Sequence, residues 1–390
     1  MSIEQASPFE IRVHDDVLAD LAVRLESTRL PPEQGPSGWD AGASPDYLSE
    51  LLEYWRHGFD WRAQEARLNS FKQLRVNVDR ADIHFIYERG RGPRPMPLLL
   101  THGFPDSFTR FLKLIPLLTD PGSHGADPAD SFDVVAPSLP WCGFSQPDAE
   151  GGLFDVHQRW HALMTDVLGY ERYGAHGGDW GSTITEQIAR SHAKSVVGIH
   201  LTDVPFWHSL RAPEDVTAAE SEYLAQIRQF QEQQGAYAMI QGRKPQTLGD
   251  ALDDSPLGLA AWVIEKFQRW SDCEDLSCYT RDELLTNVMV YWVTGSICGA
   301  FTPYYDVLNA GAPRWITEAV KEKFGSDDVP AGFALFPKDL SRPPREWAER
   351  FFNVRRWSTF PKGGHFAAME QPEALAADIR EFFRPLRSVQ

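Results

Sequence analysis

Apolar positions along this chain fall into three successive patterns. Over roughly the first ninety residues they recur mainly at helical spacing: Val17, Leu18, Leu21, Val23 and Leu25 trace a helix that Asp15 or Asp16 is placed to cap and that must end before Pro31-Pro32. A stretch rich in Pro, Gly and Ser, residues 31–45, predicts a loop. Tyr47, Leu48, Leu51, Leu52, Tyr54 and Trp55 predict a second helix, and residues 61–68 a third. Two β-rich runs, 74–78 and 83–87, predict an antiparallel hairpin.

From Pro97 the pattern becomes short apolar runs alternating with helices, the mark of a mainly parallel sheet covered on both faces. Strands are predicted at 98–100, 132–136, 173–176 and 196–201, with an amphipathic helix at 155–167. The alternation then stops. Residues from about 205 to 305 read as consecutive helices, among them 217–233, 258–270 and 281–293. Strands return at 333–336 and 354–358, and a helix at 372–383 closes the chain. A helical insertion within an α/β sheet predicts a lid over a pocket. The expected division is an N-terminal extension (1–95), a first part of the α/β core (96–204), the lid (205–305) and a second part of the core (306–390).

Composition narrows the function classes. With 390 residues, 42% of them hydrophobic, the chain can bury a large core, and its net charge of −17 disfavours nucleic acid or an anionic membrane surface as partner. No basic patch offsets that charge. The first residues lack a basic and an apolar signal region, and no run approaches 18 apolar residues, so the expectation is a cytoplasmic protein without a membrane anchor. Cys142, Cys273, Cys278 and Cys298 show no zinc-type spacing, and free buried thiols are expected rather than a Cys273–Cys278 bridge.

The chemistry centres on His176-Gly177-Gly178-Asp179-Trp180-Gly181-Ser182. Small residues at Gly177 and Gly181 allow a strand to turn sharply into a helix, the geometry of a nucleophile elbow, with aspartate where serine is usual. A carboxylate attacks saturated carbon and leaves an ester, which points to epoxides or alkyl halides. The plainer reading is that Asp179 caps the following helix. An acid and a histidine follow in the order such hydrolases use: Asp339 after one predicted strand, and His365 in the glycine-rich loop after the last. Asp203 is a rival acid, ranked lower because it precedes the lid. Thr101-His102-Gly103-Phe104-Pro105 follows a buried strand and would aim the Phe104 N–H, with that of Trp180, at an oxyanion. His157 and His161 lie one helical turn apart, but the glutamate of a H-E-x-x-H site is missing, so no metal is expected.

These motifs together resemble the α/β-hydrolase epoxide hydrolases of the microsomal type. The similarity spans nearly the whole chain, including Pro8-Phe9 to Arg29-Leu30, Tyr54-Trp55-Arg56, Phe59-Asp60-Trp61-Arg62, His102-Gly103-Phe104-Pro105, residues 177–182 and Gly363-Gly364-His365-Phe366-Ala367-Ala368. The resemblance implies an α/β-hydrolase fold and an extension that wraps core and lid. It also implies a pair of lid tyrosines, Tyr237 and Tyr304, that bind the epoxide oxygen; Tyr305 is the adjacent alternative to Tyr304. Such phenols remain neutral donors at pH 7. His102, Pro105 and Trp141 are placed in the substrate pocket. Two departures stand out. Asp339 stands where mammalian members carry glutamate, and Pro140-Trp141-Cys142-Gly143-Phe144-Ser145 replaces a more usual Gly-Tyr or Gly-Phe pair.

The resulting expectation is an epoxide hydrolase without cofactor that turns a small-molecule epoxide, bulky and apolar or aromatic, into a vicinal diol through an aspartyl ester. The bulk is read from Trp262, Phe267, Trp270, Tyr291 and Trp292 in the lid. Relatives imply detoxification or secondary metabolism, and the sequence is compatible with a homodimer without specifying one. The competing expectations are a haloalkane dehalogenase, which shares the aspartate and adjacent tryptophan, and a non-catalytic binding protein that uses the lidded pocket.

Overall fold

The computed structural model of the chain describes residues 6–30, 38–146, 155–210, 213–309 and 329–389. Near the N-terminus, β1 (Ser7–Pro8), β2 (Gln73–Val78) and β3 (Ala81–Glu88) form an antiparallel ribbon. The predicted hairpin is therefore present, and it is not confined to an appendage. β3 pairs with β5 (Phe132–Pro137), which carries the ribbon into the main sheet. β4 (Met96–Thr101), β5, β6 (Tyr173–Gly177) and β7 (Val196–Leu201) are buried at every position, as runs apolar on both faces must be. With β8 (Pro330–Leu335) and β9 (Asn353–Thr359) they complete, among the described residues, a nine-stranded sheet of order β1-β2-β3-β5-β4-β6-β7-β8-β9. Every pair from β5 to β9 is parallel, which gives the α/β-hydrolase fold. The chain runs from β4 to β5 on one side and returns to β6 on the other, so a crevice opens at the carboxyl ends of β4 and β6.

Helices α1 (Asp15–Glu26), α2 (Pro45–His57) and α3 (Trp61–Leu68) occupy the predicted places. The cap of α1 differs. Residue 14 is still extended, so Asp15 and Asp16 fall inside the first turn and the His14 ring accepts the Asp16 N–H. After α4 (Leu114–Thr119), the helix expected over 155–167 is α-helical only as α5 (Val156–Ala162) and widens to a π turn at Leu163–Val167. The Thr165 hydroxyl occupies the His161 carbonyl there, which displaces the ordinary backbone ladder.

After the elbow helix α6 (Trp180–Ser191), six helices lie between β7 and β8 among the described residues: α7 (Ala218–Gln234), α8 (Ala236–Arg243), α9 (Pro245–Asp254), α10 (Pro256–Trp270), α11 (Arg281–Thr294) and α12 (Thr302–Asn309). The sequence does not announce α8, α9 and α12, which are short and broken by Gly235, Lys244-Pro245 and Gly295. The N-terminal helices pack on this layer: Tyr54 donates to Asp282 Oδ1 at 2.7 Å, and Gln64 to Asp282 Oδ2 at 3.2 Å. No single described helix is long and apolar enough to cross a membrane.

The cysteine expectation is corrected. Cys273 and Cys278 are disulfide-bonded, because the turn after α10 brings their Cα atoms to 6.1 Å, within bridging range. Cys142 and Cys298 are free.

Candidate active site

The end of β6 is read out through backbone geometry. A Cβ on Gly177 would stand 2.2 Å from the Gly181 carbonyl oxygen, and one on Gly181 would stand 2.0 Å from that of Thr101. Only hydrogen fits at either place, and strand and helix therefore cross closely enough to push Asp179 outward. Asp179 has φ 59° and ψ −131°, a strained conformation for a residue with a side chain. It occupies the N-cap position of α6 but makes no capping hydrogen bond, so the plain capping reading fails. Its carboxylate turns the other way, to the Phe104 N–H, which lies 2.9 Å from Oδ1.

Strand pairing brings the remaining loops together. Thr101 is in register with Gly177, Leu201 with Phe333, and Leu335 with Thr359, so the segments after β4, β6, β7, β8 and β9 share one edge. Asp339, past β8, accepts from His365 Nδ1 at 2.7 Å and from the Leu340 N–H at 2.7 Å. His365 Nε2 faces Asp179 Oδ2 at 3.4 Å without hydrogen-bond geometry, and the imidazole is 2% exposed. Burial alone would lower this histidine, but the charge of Asp339 and contacts with both carboxylates raise it to about 10.

Tyr237 of α8 and Tyr304 of α12 come from the helical layer between β7 and β8. Their rings lie 5.8 Å apart, and both contact the Phe104 ring, at 6.4 and 5.7 Å. Tyr304 also meets Trp180 edge-on at 5.0 Å. Burial raises both phenols above the usual tyrosine range, and the Asp179 charge raises them further. Both therefore stay protonated at neutral pH. Tyr304 is 7% exposed and Tyr305 47%, so the helix directs the first inward and the second outward.

Other sequence-selected residues take different places. His102 is fully buried; its Nδ1 donates to the Gly103 carbonyl at 3.0 Å and its Nε2 accepts the Leu139 N–H at 3.1 Å. Both nitrogens are spent on the backbone, and His102 shapes the loop rather than presenting a polar group to a pocket. Pro105 follows a cis peptide, and its carbonyl accepts from Asn287 of α11 at 2.8 Å. Trp141 is buried with its carbonyl beneath Gly299 of the lid. Asp203 lies beyond β7, and His365 Nδ1 bonds Asp339 instead of it. Burial and the nearby Asp339 charge raise Asp203 to about 7. His161 stacks on His192 at 3.7 Å, and among the described residues no group of three His, Cys, Asp or Glu is arranged to hold a metal. Sequence reading missed Asp106 and Arg110, a buried ion pair beside the site. Their i, i+4 spacing inside the aromatic run Phe104 to Phe111 was the available signal.

Comparison with known proteins agrees with this architecture. The family described as epoxide hydrolase N terminus matches residues 6–111, and that described as alpha/beta hydrolase fold matches residues 96–283. Epoxide hydrolase 1 of Oryctolagus cuniculus is 35% identical over 412 residues, covering 97% of this chain and 89% of its relative. Juvenile hormone epoxide hydrolase 2 of Ctenocephalides felis is 32% identical over 402 residues, covering 95% and 84%. The solved Aspergillus niger epoxide hydrolase superposes with a TM-score of 0.83 at 30% identity, covering 97% of this chain and 96% of that one. Extension, fold, elbow and near-full-length similarity lead to one conclusion: this chain belongs to the epoxide hydrolases of the α/β-hydrolase fold.

Proposed function

We propose that the chain hydrolyses an epoxide to a vicinal diol in two steps through an ester on Asp179. The observation that carries this reading is a carboxylate at a strained elbow, faced by a His365–Asp339 pair and covered by two buried phenols. Asp179 opens the ring from the side opposite its oxygen, and Tyr237 and Tyr304 protonate that oxygen as the carbon–oxygen bond breaks. Ester formation removes the Asp179 charge. That charge helps to hold the His365 proton, so its loss lowers the imidazole, which passes its proton to the phenolate left by ring opening and then stands neutral as the base. His365 then takes a proton from water, hydroxide adds to the Asp179 carbonyl carbon, and the Phe104 and Trp180 amides hold the oxyanion. Collapse expels the diol and restores the carboxylate. The chemistry calls for no cofactor or metal.

A bulky apolar or aromatic epoxide remains the preferred substrate, though of the lid aromatics first considered Trp270 is the one beside the reacting groups. Trp262 bonds to Gln241, Trp292 packs under Arg24, and Tyr291 donates to the Asp106 carbonyl, so these three serve the lid. The rings around the reacting groups are Phe104, Trp180, Phe301 and Trp270.

The test is a single turnover of styrene oxide in heavy-oxygen water with enzyme in excess. The expected result is unlabelled diol and label in the Asp179 carboxylate, with Asp179→Ala inactive and His365→Gln trapped as the adduct. Label in the diol from the first turnover would exclude the ester.

A further inference from the structure

Arg110 and Asp106 form an ion pair sealed from water. Arg110 Nη1 lies 2.6 Å from Asp106 Oδ2, and the side chains are 2% and 1% exposed. Well-packed apolar residues of similar volume often serve stability as well as such a pair, so stability alone is a weak reason for it. Its remaining hydrogen bonds supply a stronger one. Arg110 Nη2 donates to the His365 carbonyl at 2.7 Å. The other Asp106 oxygen accepts the Gly103 N–H at 3.0 Å, one residue before the Phe104 N–H that meets Asp179. Arg110 also packs under the elbow, where a Cβ on Gly178 would stand 3.0 Å from Nη2. One ion pair thus reaches the loops that carry the base, the oxyanion donor and the nucleophile.

We infer that the Arg110–Asp106 pair is a positioning unit for the ester-hydrolysis half of the reaction, holding His365 and the Phe104 amide in mutual register. The inference rests on the two-step reading above. Ring opening uses Asp179 and the two lid phenols. Hydrolysis needs His365 and the Phe104 N–H at the same moment, and the pair hydrogen-bonds both of their loops, whereas it meets the elbow by packing alone. Loss of the pair therefore slows hydrolysis far more than alkylation.

Removing one partner alone leaves a buried charge exposed to an apolar surrounding, so the test uses Asp106→Asn/Arg110→Met, which is uncharged and close in volume, beside Arg110→Lys. Rapid quench with styrene oxide follows the covalent adduct by mass and the diol by chromatography. In the double variant hydrolysis is expected to fall about 100-fold, the cost of misplacing a catalytic group by roughly 1 Å. The alkylation rate changes little, so adduct accumulates, and kcat and KM fall together while kcat/KM holds. Arg110→Lys, which keeps the charge but not the fork of donors, gives the same split to a smaller extent and carries the test should the double variant not fold. Equal slowing of both steps, as general loosening would produce, overturns the inference. So does hydrolysis at the wild-type rate in the double variant while the wild type forms the adduct; there the two-step reading stands and only the positioning role fails. Absence of adduct in the wild type together with an active Asp179→Ala would instead sink the two-step reading, and the positioning role with it.

Discussion

Single residues carry the chemistry through their environments. Tyr304 and Tyr305 are adjacent in sequence and chemically identical, yet one ring contacts Phe104, Trp180 and Tyr237 while the other is 47% exposed. Tyr304→Phe is expected to cut the alkylation rate by about 100-fold, the usual scale for general acid catalysis, whereas Tyr305→Phe should leave it unchanged. Pre-steady-state alkylation of the two variants separates them; a loss confined to Tyr305→Phe would return the choice to Tyr305. Asp179, Asp339 and His365 could be put forward from residue type and chain order alone. Their distances could not, because the loops that bear them are separated by as many as 186 positions between Asp179 and His365.

At the scale of elements, the strands and long helices were legible because burial on one or two faces leaves a period in the sequence. The thirteen-residue α2 and the fifteen-residue α10 show it plainly, while α8 and α12 are eight residues each and too short to show one. The elbow belongs to this scale as well, since it is a relation between β6, α6 and β4. Gly181→Ala would drive a methyl group to 2.0 Å from the Thr101 carbonyl oxygen, so α6 must move away from β4 and carry Asp179 with it. The expected outcome is loss of activity by about 100-fold or more, with far-ultraviolet circular dichroism retained. Full activity in a folded Gly181→Ala would show that the close crossing is not what aims Asp179.

At the scale of the whole molecule, a buried network ties the far half of the sheet together. Asp378 of the closing helix Pro372–Phe383 accepts from His200 of β7 at 2.9 Å, and from Arg356 at 2.7 Å and Ser358 at 2.6 Å, both of β9. Burial alone would raise its carboxyl, but these donors lower it to about 2 from an ordinary value of 3.8. A depressed folded pKa gives stability that is complete above the unfolded value and is lost as the acid proton returns. The contribution, roughly 2 kcal/mol, should therefore disappear between about pH 4 and pH 2. Thermal melts across that range should show a steep acid limb for the wild type and a shallower one for Asp378→Asn, which starts less stable at neutral pH; parallel limbs would rule the network out as its cause. By itself the sequence determined the alternation of elements, the helical insertion, the small residues of the elbow and the order of acid and histidine, because these follow from local period and sterics. Tertiary structure alone decided which tyrosine faces inward, that His102 is spent on backbone groups of two loops, that Cys273 and Cys278 are bonded, and that Asp106 and Arg110 join the loops of the site. Each of those depends on what the chain places beside a residue from far away, and no local pattern encodes that neighbour.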